Sequence, residues 1–103
     1  MSAKDYGTRF SETATHATAA VASHAGVSGK AYHITHVAVS SDKAGAILLI
    51  KQGTTTLWQL QIGASKHEET FDPPLVGAVG ALVSAEIDGT SACKANISGY
   101  ELP

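Results

Sequence analysis

Charge is scarce in this chain. Charged residues make up 16% of its 103 positions, the formal net charge is -2, and no three like charges stand in a row. That excludes the basic stripe of a nucleic-acid binder and the cationic face that draws a protein to an acidic membrane, so neither is expected as a partner. No apolar run reaches membrane-spanning length. The opening "MSAKDYGTRFSE" has no apolar centre, so no signal peptide is expected and synthesis in a reducing cytoplasm is. Cysteine is reduced to Cys93. Within "SACKANI" it is expected to fill a small buried site, since a reactive thiol needs an accessible, electropositive setting that only Lys94 could supply. Aromatic residues are only 6%, which leaves little wall for a sugar-sized catalytic cleft. Glu, Leu, Lys and Arg are sparse for a helical protein, and helical periods are hard to find.

Ala, Val, Thr, Ser and Gly are abundant instead and supply over half of the chain. Short alternating segments bounded by Gly, Pro, Asp and Ser recur at intervals of roughly 8 to 12 residues, the pattern of an all-β sandwich or barrel. The alternation predicts seven to eight short strands, near 15–23, 31–40, 46–52, 55–62, 67–72, 75–79, 81–88 and 92–102. Trp58, Leu60 and Ile62 share one face of their strand, opposite Gln59 and Gln61, so Trp58 is expected in the core. Gly53 and Gly89 can take positive φ at low cost, and 46–52/55–62 and 81–88/92–102 read as hairpins. Pro73-Pro74 cannot both sit in a central ladder, so they mark a strand end or an edge, where the chain crosses between sheets.

The length suits one domain, expected over 15–103 behind an N-terminal arm at 1–14. The arm mixes charge with Tyr6, Arg9 and Phe10, residue types favoured in interfaces, although a frayed tail is the default for a terminus. "AILLI", residues 46–50, is apolar on both faces. Either a loop folds over one of them or a neighbouring subunit covers it, which makes Leu48 and Ile50 interface candidates.

Chemistry is thin along these strands. "HAGVSGKA" fails the phosphate-loop pattern, because His24 stands where its first Gly belongs and Ala31 where its hydroxyl belongs. His33 and His36 lie three apart, which in a regular strand puts them on opposite faces, so they cannot share a metal ion without a bulge. His36 remains an interface candidate. Glu68 and Glu69 also alternate, and Asp72 falls on the side of Glu68, so no pair of acids faces one cleft. Ser28 lacks the Gly-x-Ser-x-Gly frame of a nucleophile elbow. No enzyme, metal or cofactor is expected.

"SGKAYHITHVAVSS", the "QGTTTLW" hairpin, "FDPPLVGAVGALVSA" and the closing "ISGYEL", spanning residues 15–102, together resemble small jelly-roll decoration (cement) proteins of tailed-bacteriophage capsids. Gly29-Lys30, Gly53, Pro73-Pro74 and Gly99-Tyr100 match scaffold positions, and no catalytic residue comes with them. The chain departs from that look at Ala81, where Asn is usual, and at His33 and His36. The resemblance implies a two-sheet antiparallel jelly-roll that binds the major capsid protein as a homo-dimer or homo-trimer on the outer capsid surface of the virion. The same architecture also serves receptor- or glycan-binding heads of fibres, and cupin-like metal-binding enzymes.

Overall fold

A computed structural model describes residues 8–102 of the chain. It contains eight strands: β1 (Thr8–His16), β2 (Ala19–His24), β3 (Ala31–Ser41), β4 (Ile47–Gln52), β5 (Thr55–Gln61), β6 (Lys66–Val76), β7 (Val83–Asp88) and β8 (Cys93–Leu102). They form two four-stranded antiparallel sheets, sheet A in the order β1-β8-β3-β6 and sheet B in the order β2-β7-β4-β5. Only the β4–β5 connection stays within one sheet. Every other connection crosses between sheets, giving the jelly-roll order expected from the sequence.

The core lies between the sheets. Tyr32, Ile34, Val37 and Ile97 from sheet A meet Leu48, Ile50, Val83 and Ile87 from sheet B, all fully buried. Alternation explains the membership, because in β7 and β8 the inward positions are apolar while their neighbours are Ser, Asn, Asp, Glu or Lys. On one side of the sandwich, β1 lies against β2, and Phe10, His24 and Tyr32 pack ring against ring there, with centroids 4.7 to 5.1 Å apart. On the other side Trp58 meets Phe71 edge to face at 5.3 Å. Trp58 is therefore a half-buried plug at the open edge, packed against the core from outside its centre.

Several connections differ from the sequence reading. The expected strand 15–23 is two strands, since the chain turns from sheet A to sheet B at Ala17-Thr18. No glycine or proline marks that turn. The ring of His16 does the work instead, its Nδ1 accepting from the backbone N–H groups of Thr18 (3.0 Å) and Ala19 (3.1 Å). Residues 8–14, placed in an arm by the sequence reading, belong to β1 and pair with β8 along their length. Strands β7 and β8 are not a hairpin, because they lie in different sheets. Gly89 accordingly has no positive φ; a Cβ there would stand 3.0 Å from both the Ala92 carbonyl oxygen and the Cys93 Cβ. Gly53 does adopt positive φ, 55°, in the β4–β5 hairpin.

The segments 67–72 and 75–79 join into one edge strand, β6. Its register with β3 breaks between His36↔Thr70 and Ile34↔Leu75, so four residues, 71–74, oppose Thr35 alone. Pro73-Pro74 sit in that swollen stretch. They mark an edge, as read, but no crossing between sheets, because edge strands and bulges tolerate a residue with no N–H to donate.

At the far end, two aspartates tie the β3–β4 and β7–β8 loops together. Asp42 accepts from the backbone N–H groups of Thr90 (2.8 Å) and Ser91 (3.0 Å) and from the Ser91 hydroxyl. Asp88 accepts from Lys43 Nζ at 2.6 Å. These bonds to Ser91 and Thr90 hold the Asp42 carboxyl well below the usual carboxylate range, and the Lys43 bond lowers that of Asp88.

Candidate functional site

The side chains with no role in the core are displayed on the two outer sheet faces, and a bulge decides what one of those faces carries. In β3 the pairing with β8 slips by one residue at Thr35, between Ile34↔Gly99 and His36↔Ser98. The extra residue reverses the inward phase of the strand, from Tyr32 and Ile34 before it to Val37 and Val39 after it. His33 and His36 consequently both face outward. The expectation that they lie on opposite faces is overturned, and the bulge is what the sequence pattern did not disclose.

The two histidines are nevertheless engaged separately. His33 stacks on Tyr100 of β8, with centroids 5.0 Å apart. His36 turns toward β6, its Nε2 3.2 Å from Glu68 Oε1 and its Nδ1 3.1 Å from Thr70 Oγ1. No group of three or more His, Cys, Asp or Glu gathers as a metal site among the described residues.

Further along the same face the cross-strand rows read Thr13-Asn96-Ala38-Glu68 and Thr15-Lys94-Ser40-Lys66. The small side chain of Ala38 leaves a shallow depression of about 380 Å³, walled by Thr13, Ser40, Glu68 and Asn96 and flanked by Lys66 and Lys94. Asn96 is held in place by donating Nδ2–H to Thr13 Oγ1 (2.8 Å) and to the Glu12 carbonyl (3.1 Å). Neither Lys66 nor Lys94 has a carboxylate partner among the described residues, whereas Lys43 and Lys51 each have one.

Sheet B presents a different outer face. Register places Val21, Glu86, Leu49 and Gln59 in one row, with Ile47 in the next. Val21 is 46% exposed and Ile47 43%, and they rim a hollow of about 300 Å³ that Ala19 and Leu49 also line. The hollow is lined by two charges, Glu86 and Asp88, matched by Lys51 at 3.3 Å and Lys43 at 2.6 Å. The doubly apolar "AILLI" is thus explained by Leu48 and Ile50 facing the core while Ile47 and Leu49 face out.

A second apolar surface lies at one end of the sandwich. The β2–β3 loop and the β6–β7 loop approach so closely that a Cβ on Gly26 would stand 2.1 Å from the Gly80 carbonyl oxygen. These loops and their flanks carry exposed Val27, Val76, Val79 and Leu82, with Val79 at 65%. The polar row Ser23-Ser84-Lys51 separates this end from the Val21-Leu49 surface.

The interface candidates therefore fall unevenly. Leu48 and Ile50 are fully buried and Phe10 nearly so; as core residues they are closed to any partner of the folded chain, and in strand β4 the pleat hands that part to Ile47 and Leu49. Arg9 and His36 lie on the outer side of sheet A, Arg9 exposed beside Tyr100 in the register and His36 half-buried. Tyr6 lies outside the described residues. No family model matches the chain, and no characterised protein matches it in sequence.

Proposed function

We propose that the chain is a non-enzymatic virion structural protein that decorates the outer surface of a tailed-phage capsid, bridging neighbouring copies of the major capsid protein. The observation that supports this reading is the pair of separate exposed apolar surfaces on one small sandwich, Val21-Ile47-Leu49 on sheet B and Val27-Val79-Leu82 at the end. A bridging protein needs two attachment surfaces, and a single-domain binder needs one. With Glu86 paired to Lys51 and Asp88 to Lys43 at the sheet-B surface, docking there strands no unpaired charge.

Full burial of Val21, Ile47 and Leu49 would contribute about 1.5–3 kcal/mol per side chain, less what each already hides in the free chain. A contact of that size is weak alone. Repeated around a symmetric shell, and doubled by pairing into a homo-dimer or homo-trimer, it becomes an adhesive layer that resists bursting. The test is to mix capsids of the encoding virus with the protein and heat them. Binding with a raised burst temperature is expected for the wild type and its loss for Ile47→Asp; no binding and an unchanged burst temperature would overturn the proposal. A receptor- or glycan-binding head is the second reading, favoured by the lysine- and hydroxyl-lined depression on sheet A.

A further inference from the structure

We infer that the depression over Ala38, on the outer face of sheet A, is a binding site for an acidic sugar. This deepens the second of the two readings above. It is independent of docking through sheet B, since the two outer faces point away from each other, and a copy seated by sheet B would turn sheet A to solvent.

The charge argument starts from register. Lys94 and Lys66 both pair with Ser40, one from each neighbouring strand. Adjacent strands are about 4.8 Å apart, so the two lysine backbones stand roughly 10 Å apart with only a serine between them. Two ammonium groups so placed repel one another, and no carboxylate among the described residues lies within ion-pair distance of either. The obvious candidate is Glu68, two residues from Lys66 on the same face and itself on the wall of the depression, so the site carries two cations against one carboxylate. Its carboxylate is turned instead to His36, 3.2 Å from Nε2. An anion lying over Ser40 would meet both cations at once.

The rest of the depression suits the neutral part of a sugar. Ala38 gives a small apolar floor for the C–H face of a pyranose ring. Thr13, Ser40 and Asn96 provide hydroxyl and carboxamide groups on the walls. Because Asn96 spends its Nδ2 hydrogens on β1, its Oδ1 is left to accept from an incoming hydroxyl, and the β1 bonds fix that oxygen's direction before any ligand arrives. A volume of about 380 Å³ lies near the lower end of the ~300–1,000 Å³ common to ligand clefts, which limits the site to one or two rings. With no aromatic platform in the depression, affinity depends on the charge, and neutral sugars should be poor ligands.

The experiment is a 1H–15N NMR titration of the full chain with three probes: a galacturonic-acid trisaccharide, its fully methyl-esterified neutral counterpart, and inorganic phosphate. The expected result is saturable shifts at Ala38, Ser40, Lys94 and Asn96 with the acidic trisaccharide, and at least fivefold weaker binding of the other two. In the Lys66→Gln/Lys94→Gln variant, with its spectrum otherwise folded, affinity for the acidic trisaccharide should fall at least tenfold. Ile47→Asp on sheet B should leave it unchanged, which separates this site from capsid docking. No saturable shifts, equal binding of the ester, or binding that survives loss of both lysines would overturn the inference. Phosphate binding as tight as the sugar would reassign the site to free anions and likewise overturn it.

Discussion

A Cβ on Gly99 would stand 2.0 Å from the carbonyl oxygen of His33. Strand β8 can pass the bulge in β3 only because that position has no side chain. Gly99→Ala should therefore force the two central strands of sheet A apart, at a cost of roughly 3 kcal/mol in urea unfolding. The amide resonances of His33 and His36 should move with it. Unchanged stability would mean that the bulge is not held against β8 in this way.

Neighbouring residues of β4 should respond in opposite senses. Leu48→Ala empties a fully buried site and should cost about 2–5 kcal/mol. Ile47→Asp changes an exposed position and should leave stability within about 0.5 kcal/mol. Sedimentation velocity completes the comparison: any self-association of the wild type through sheet B should be lost in Ile47→Asp and retained in a folded Leu48→Val.

Acid should loosen the end tied by aspartates. The folded-state values of Asp42 and Asp88 are both depressed, so their stabilising contribution is fully present above the unfolded carboxylate value of about 3.9 and is lost as pH falls through the lower folded values. Unfolding free energy measured from pH 5 downward should decline, and Asp42→Asn should decline less steeply while starting from lower stability. Identical slopes would show that Asp42 is not ionically tied to the Thr90–Ser91 turn.

His24 joins the two sheets at the β1–β2 side. Its Nδ1 lies 2.6 Å from Glu12 Oε2, and its ring stacks on Phe10. The half-exposed hydrogen bond is worth about 0.5–1.5 kcal/mol and the ring contact about 0.5–1.5. His24→Ala should cost roughly 1–2 kcal/mol and speed hydrogen exchange at the amides of β1 ahead of those in β7. Uniform exchange across both sheets would argue against a local clasp.

Where alternation ran unbroken, the sequence was readable. The strands around Leu48, Trp58 and Ile87 and the hairpin at Gly53 follow from side-chain pattern and turn chemistry. What hid was every place where the backbone departed from that pattern. The bulge at Thr35 carries no glycine of its own; the residue that permits it, Gly99, lies on the neighbouring strand sixty-four positions away. The β1–β2 turn is stabilised by a histidine ring, and "THATAAVAS" keeps alternating straight through it. The same limit governs the candidate surfaces. "AILLI" announced two apolar faces, but only the pairing of β4 with β7 decides that Ile47 and Leu49 face out. The depression over Ala38 was illegible for a stronger reason: its two lysines, Lys66 and Lys94, meet across a strand that contains neither.

The swollen, proline-bearing stretch of β6 also limits how copies of this protein could join. At Pro73-Pro74 no N–H is available to donate, and the local backbone veers from a straight ladder. A second molecule therefore finds no continuous ladder along this stretch from which to extend sheet A. Along those residues the edge offers no regular ladder for strand addition, which protects it from edge-to-edge pairing.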